Sequence, residues 1–136
     1  MDKIEYRIGK PDSVEFFKLF ETTGWNEEYK ADIDDIDLIL DNSWFIVSAY
    51  DNGKMVGTGR MITDGLLHAM IFDMIIMPEY QGKGIGAEVL KILVDKCNEQ
   101  KIRDVQLFCA KGKIGFYKKH GFIERSGDAP GMQLKK

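Results

Sequence analysis

From Met70 to Gly86 the chain passes from a nearly continuous apolar run, through Pro78, into a loop with alternating glycines at Gly82, Gly84 and Gly86. An amphipathic pattern follows at once. An apolar run of this length suits a strand covered on both faces. Pro78 has no N–H to give a sheet ladder, so the strand is expected to end there. Glycines without Cβ atoms let backbone N–H groups crowd around a phosphate. A helix start adds unpaired donors and the positive end of its dipole. The local physics therefore proposes a pyrophosphate cradle between a buried strand and a helix.

Spacing narrows the ligand. A dinucleotide fingerprint requires G-x-G-x-x-G directly after a strand. Here the glycines fall as G-x-G-x-G, and Glu79-Tyr80-Gln81 intervenes after Pro78. The Walker pattern G-x-x-x-x-G-K-[ST] is absent. Gln81-Gly82-Lys83-Gly84-Ile85-Gly86 instead resembles the acyl-CoA loop, [Arg/Gln]-x-x-Gly-x-[Gly/Ala], of the GNAT superfamily of N-acetyltransferases. Phe116-Tyr117 followed by Gly121-Phe122 is similar to that superfamily's closing Phe/Leu-Tyr-x-x-x-Gly-Phe motif. The window 72–86 is also similar to diamine acetyltransferases, and with Gly131-Met132 to plant plastid serotonin-type acetyltransferases. Two positions depart from the pattern: Ala110 and Lys113 stand where many members carry Asn and Ala. Lys111 or Lys113 is a further candidate for a phosphate contact, against the simpler reading of exposed lysine.

The resemblance implies an α/β (α+β) fold. Its sheet would be central, mixed and mostly antiparallel, with roughly six to seven strands flanked by about four helices and a splayed parallel strand pair. It implies an acyltransferase that moves an acetyl group from acetyl-CoA to a primary amine of a small molecule by direct attack in a ternary complex. Acetyl-CoA would be cosubstrate, with no metal. Carried over to this chain, Met74, Ile75 and Ile76 would offer backbone to the thioester and pantetheine. Gln81, Gly82, Lys83, Gly84, Gly86 and Ala87 would supply pyrophosphate donors. Tyr117 would protonate the leaving thiolate. Asp73, a carboxylate inside an apolar strand, is the first candidate for the base that deprotonates the amine. Glu79 and His68 follow it, and His120 reads better as a helix-end cation. The alternatives are protein or peptide N-acetylation and a non-catalytic CoA-binding sensor. A homodimer enters by analogy alone.

Composition restricts the field further. A chain of 136 residues suits one domain, residues 1–136. The net charge is −3 and the only basic doublet at an end is Lys135-Lys136, which argues against a nucleic-acid partner. No apolar stretch reaches membrane-span length, and the start lacks a signal-peptide pattern. Cys97 and Cys109 are too few for a disulfide framework, which favours a cytoplasmic setting. With only His68 and His120 present, a histidine-built metal site is not expected.

Along the chain, residues 3–8 alternate as a strand, and Asp12 or Ser13 caps a helix carrying Val14, Phe16, Phe17, Leu19 and Phe20. Residues 25–30 read as a loop. An acidic helix over residues 32–41 is expected to turn Ile33, Ile36, Leu38, Ile39 and Leu40 inward. Its region holds Glu27, Glu28, Asp32, Asp34, Asp35, Asp37 and Asp41 against Lys30, either a solvated face or a rim attracting a cationic amine. Strands over 44–50 and 54–62 are joined at Asn52-Gly53, and a turn at 63–65 leads into the apolar strand. Gly57 and Gly59 mark a bulge or a close backbone approach. A helix over 84–100, a buried strand over 105–109 parallel to the apolar one, and a helix over 111–120 ending at Gly121 follow. Residues 122–125 and 132–135 read as closing strands.

Overall fold

A computed structural model describes residues 3–136. Contacts divide the chain into two units, the second being Leu107–Lys136. In the first unit, β1 (Glu5–Ile8) leads to α1 (Ser13–Glu21), whose start is capped by Asp12 accepting from the Glu15 N–H. A short helix, α2 (Asn26–Tyr29), stands where the sequence suggested a loop. The Asn26 side chain closes it by bonding both the N–H and the carbonyl of Ala31, and Lys30 ends it with a φ of 53°. α3 (Ile33–Asp41) begins with a reciprocal capping box between Asp32 and Asp35. Only Ile36 and Leu40 of its apolar residues are fully buried; Leu38 is 60% exposed and Ile33 37%, because the inward stripe is narrower than the run of apolar letters.

β2 (Phe45–Asp51) and β3 (Lys54–Thr63) form a hairpin through Asn52 and Gly53, both at positive φ as a tight turn demands. β4 (His68–Ile76) returns antiparallel to β3. The sequence reading starts this strand at Leu66, but it begins at His68, because Asp64 Oδ1 accepts from the N–H groups of Leu66, Leu67 and His68 and holds them in a turn. Pro78 opens a single 3-10 turn, Pro78–Tyr80, as the strand ends. α4 (Ile85–Glu99) buries Ile85, Val89, Leu90, Leu93 and Cys97. β5 (Asp104–Leu107) completes a sheet ordered β1-β2-β3-β4-β5. Arg103 and Asp104 donate to the carbonyls of Leu66 and Leu67, so β4 and β5 start side by side and run the same way.

The sheet therefore has five strands among the described residues, fewer than the six to seven expected, with five α-helices rather than about four. The missing strands are 122–125 and 132–135. Neither the apolar pair Phe122-Ile123 nor the short alternation over 132–135 specifies a strand partner. Neither segment has a ladder, and Ile123, Met132 and Leu134 are 90%, 87% and 79% exposed. The C-terminal unit contains α5 (Ile114–Lys119), followed by Gly121 at a φ of 94°.

Two cores cover the sheet. Phe16, Leu19 and Phe20 of α1 and Ile36 and Leu40 of α3 pack with Ile46, Tyr50, Met55 and Ile75. On the opposite face α4 lies directly on β3. A Cβ on Gly57 would stand 2.8 Å from Ile76 Cδ1, and one on Gly59 would stand 2.9 Å from Leu93 Cδ1 and 3.0 Å from Val89 Cγ1. Both expected roles of this glycine pair are present, since the β3–β4 register also shifts between Thr58 and Arg60.

Candidate active site

The site grows from the end of β4. Ile75 and Ile76 pair with Thr58 and Gly57, and the Met77 N–H reaches the Val56 carbonyl at 2.8 Å. That is the β3 side of the strand. On the other side β5 has four residues against the nine of β4. The two strands begin together, so the last part of β4, with Met74, Ile75 and Ile76, extends past β5. Because the Met77 N–H points to β3, alternation turns the N–H and C=O of Ile75 to β3 as well and those of Ile76 away from it.

The chain then turns into the glycine loop. Gly82 and Gly84 have φ values of 77° and 85°, a left-handed backbone that side chains resist. The direction a Cβ would take at either position is empty out to 4 Å, so the loop borders open space. Gly84 caps α4 without any side-chain hydrogen bond. The first intrahelical bond to Gly84 is made by Glu88 N–H, which leaves the donors of Ile85, Gly86 and Ala87 for a ligand. Gln81 and Lys83 are exposed beside them. The Gln81 amide donates to the Ile76 carbonyl at 3.1 Å and ties the loop back to the strand end. An anion such as a pyrophosphate fits this cradle in shape and in polarity.

Tyr80 secures the turn ahead of the loop. Its hydroxyl donates to Asp51 Oδ2 at 2.6 Å, which raises the tyrosine's pKa through that bond and, less, through burial. The ammonium groups of Lys54 and Lys83 lie 6.0 and 5.4 Å from its ring centre. Neither Asp51 nor Tyr80 was singled out from the sequence.

Asp73 lies within the register shift. Thr58 pairs with Ile75 and Arg60 with Phe72, so Asp73 and Met74 together oppose Gly59. Asp73 takes a φ of 54°, and its Oδ2 accepts from Arg60 Nε at 2.7 Å, both side chains being nearly buried at 11% and 14% exposure. Arg60 Nη1 also donates to Ser43 Oγ at 3.2 Å. The sequence expectation named Asp73 but missed Arg60. The available signal was a guanidinium in an otherwise apolar strand, which requires a buried acceptor.

Two further candidates lie elsewhere in the first unit. His68 is exposed at the start of β4, its Nδ1 3.4 Å from Asp104 Oδ2. Glu79 is exposed in the 3-10 turn. In the C-terminal unit, Tyr117 is 7% exposed on α5, edge-on to Phe116 and Phe122 with centroids 5.0 and 5.9 Å away. Burial, and secondarily the nearby Cys109, push its phenol up to about 12. It holds its proton across the neutral range, as an acid catalyst must. His120 caps the end of α5 with its ring against Phe116. Lys111 and Lys113 are exposed.

A shallow cavity of about 230 Å³, bordered by Lys10, Asp41, Ser43 and Trp44, contains none of the glycine-loop residues. Among the described residues no group of three His, Cys, Asp or Glu side chains is arranged to hold a metal ion.

A strand that outruns its neighbour and feeds a glycine cradle at a free helix start suits an extended ligand that ends in a phosphate. Residues 12–122 match the family model described as Acetyltransferase (GNAT) family, and the chain belongs to that family. It is an N-acetyltransferase by family. It is 30% identical over 141 residues to the uncharacterized N-acetyltransferase ycf52 of Pyropia yezoensis, covering 96% of this chain and 79% of that one. It is 30% identical over 70 residues to serotonin N-acetyltransferase 2, chloroplastic, of Oryza sativa subsp. japonica, covering 52% of this chain and 35% of that protein. A GNAT-family acetyltransferase from Streptococcus pneumoniae superposes with a TM-score of 0.81 at 24% identity, over 98% of both chains, which shows the shared fold.

Proposed function

We propose that this enzyme transfers the acetyl group of acetyl-CoA to a primary amine of a small molecule, by direct attack while both substrates are bound. The observation that carries the reading is the continuity of β4, the 82–86 loop and the α4 start, which offers pantetheine and pyrophosphate contacts along one unbroken segment. Acetyl-CoA supplies the activated thioester. Backbone of Met74 and Ile76 holds the arm and meets the developing oxyanion; that of Ile75, expected from the sequence to join them, is turned to β3. N–H groups of Gly82, Lys83, Gly84, Gly86 and Ala87 hold the pyrophosphate; that of Gln81, expected from the sequence to join them, instead donates to the Pro78 carbonyl at 3.3 Å. Tyr117 returns a proton to the departing thiolate, the phenol being protonated at neutral pH. The acceptor ammonium gives its proton to water. Asp73, the sequence-based candidate for that step, already commits Oδ2 to Arg60.

The small-amine reading draws support from the serotonin acetyltransferase named above and from the acidic residues of α2 and α3, which favour approach of a cation. The test is thiol release from acetyl-CoA across polyamines, arylalkylamines, amino sugars and lysine peptides, with wild type and Tyr117→Phe. Turnover of one small amine, reduced roughly 10²-fold in Tyr117→Phe with acetyl-CoA binding retained, supports the assignment. Turnover confined to peptides replaces the acceptor class. Binding of acetyl-CoA without turnover of any amine supports a sensor.

A further inference from the structure

We infer that Arg60 is a positioning residue that locks the β4 bulge, and that Asp73 serves as its counter-ion rather than as a proton acceptor. The inference rests on the acetyltransferase reading for its consequence in catalysis and on the geometry for the lock itself.

Strict alternation along β4 would send Asp73 toward the face covered by α4, where Met74 Sδ, Val89 and Leu93 crowd the Gly59 position. A carboxylate there would be desolvated without a partner. The chain avoids this by placing two residues, Asp73 and Met74, opposite Gly59. That is a bulge, and Asp73 takes the left-handed conformation in it. Asp is among the few side chains that tolerate this backbone. The turn brings the carboxylate to Arg60, and Met74 is left on the α4 face.

Arg60 is fixed in its turn. Its guanidinium carbon stands 5.4 Å from the Phe72 ring centre, Nη1 reaches Ser43 Oγ, and Ser43 Oγ donates to the Ile39 carbonyl at 2.8 Å. A chain of polar contacts thus runs from the last turn of α3 to the bulge. It ends one residue before Met74, the first of the backbone positions assigned to the thioester. A bulge is a local excess of one residue, and without the ion pair nothing among these contacts opposes its migration along the strand. The planar guanidinium donates to Asp73 through Nε and to Ser43 through Nη1, two fixed directions that a lysine ammonium does not offer.

The test uses full-length Arg60→Ala, Arg60→Lys, Asp73→Asn and the double variant Arg60→Ala/Asp73→Asn. Each is assayed for kcat, KM for acetyl-CoA and pH–rate profile with the best amine, and for amide hydrogen exchange over residues 72–77. The expected result is a roughly tenfold or greater fall in kcat in both alanine and asparagine variants. The double variant should be no worse than about threefold below either, since the two act as one unit. Exchange over 72–77 should quicken in all, least in Arg60→Lys, and the pH–rate profile should keep its shape. Loss of the acidic limb in Asp73→Asn alone, with Arg60→Ala nearly as active as wild type, would make Asp73 a base and overturn the inference. Unchanged exchange in Arg60→Ala would overturn it too. A wild type that turns over no amine defeats the proposed function, and the exchange measurement still decides the lock.

Discussion

Tyr80 Oη donates to Asp51 Oδ2 at 2.6 Å, while Asp51 Oδ1 is buried with no hydrogen-bond partner. The bond spans 29 positions and joins the β2–β3 hairpin to the turn that launches the glycine loop. Removing the hydroxyl leaves a carboxylate with neither oxygen satisfied. Tyr80→Phe should therefore destabilise the fold by about 1–3 kcal/mol in urea denaturation. Tyr80→Phe/Asp51→Leu, which removes both polar ends, should recover most of that. A double variant as unstable as the single one would show that the carboxylate has another partner.

The two kinds of glycine predict two kinds of damage. Gly59→Ala places a methyl within 3.0 Å of Met74 Sδ, Leu93 Cδ1 and Val89 Cγ1, inside a packed face. It should cost about 1–3 kcal/mol of stability, read by denaturation with or without ligand. Wild-type stability in Gly59→Ala would mean that α4 rides farther from β3.

Gly82→Ala and Gly84→Ala add a methyl into open space but force a residue with a Cβ into positive φ. Each should cost only about 1 kcal/mol in stability. The larger effect should be on acetyl-CoA, whose rise in melting temperature should shrink or vanish. Undiminished ligand stabilisation would place the pyrophosphate elsewhere.

Tyr117 supplies a pH test. In the unfolded chain its phenol ionises near 10.0, and in the folded protein only near 12. Because the folded pKa is the higher one, this contribution is whole below pH 10 and is lost as pH rises towards 12. The difference in unfolding free energy between wild type and Tyr117→Phe should be flat to pH 10 and then shrink by an amount on the order of 2 kcal/mol. A flat difference to pH 12 would mean that the phenol ionises freely in the native state.

Much of this architecture is legible from local chemistry. Asp12, Asn52-Gly53, Pro78 and Gly121 each act within a few residues of themselves, and each ends or starts an element where the sequence places it. The loop at 82–86 is equally local. Arg60 and Asp73 lie 13 positions apart, and their meeting depends on a register shift that periodicity does not encode. Leu38 reads as core by hydropathy but sits 60% exposed, since helical phase and not composition selects the inner face. Residues 122–125 and 132–135 read as strands but have no ladder, because pairing is a property of two segments and the letters of one do not supply the other.

Parity along β3 has a further consequence. Gly57 and Gly59 face α4, while Thr58 and Arg60 face the side where Ser48, Ser43 and the α3 end lie. Neighbouring letters of one strand thus answer to different selective pressures. A change at Gly57 or Gly59 is felt first by α4, and a change at Thr58 or Arg60 first by β2 and the end of α3.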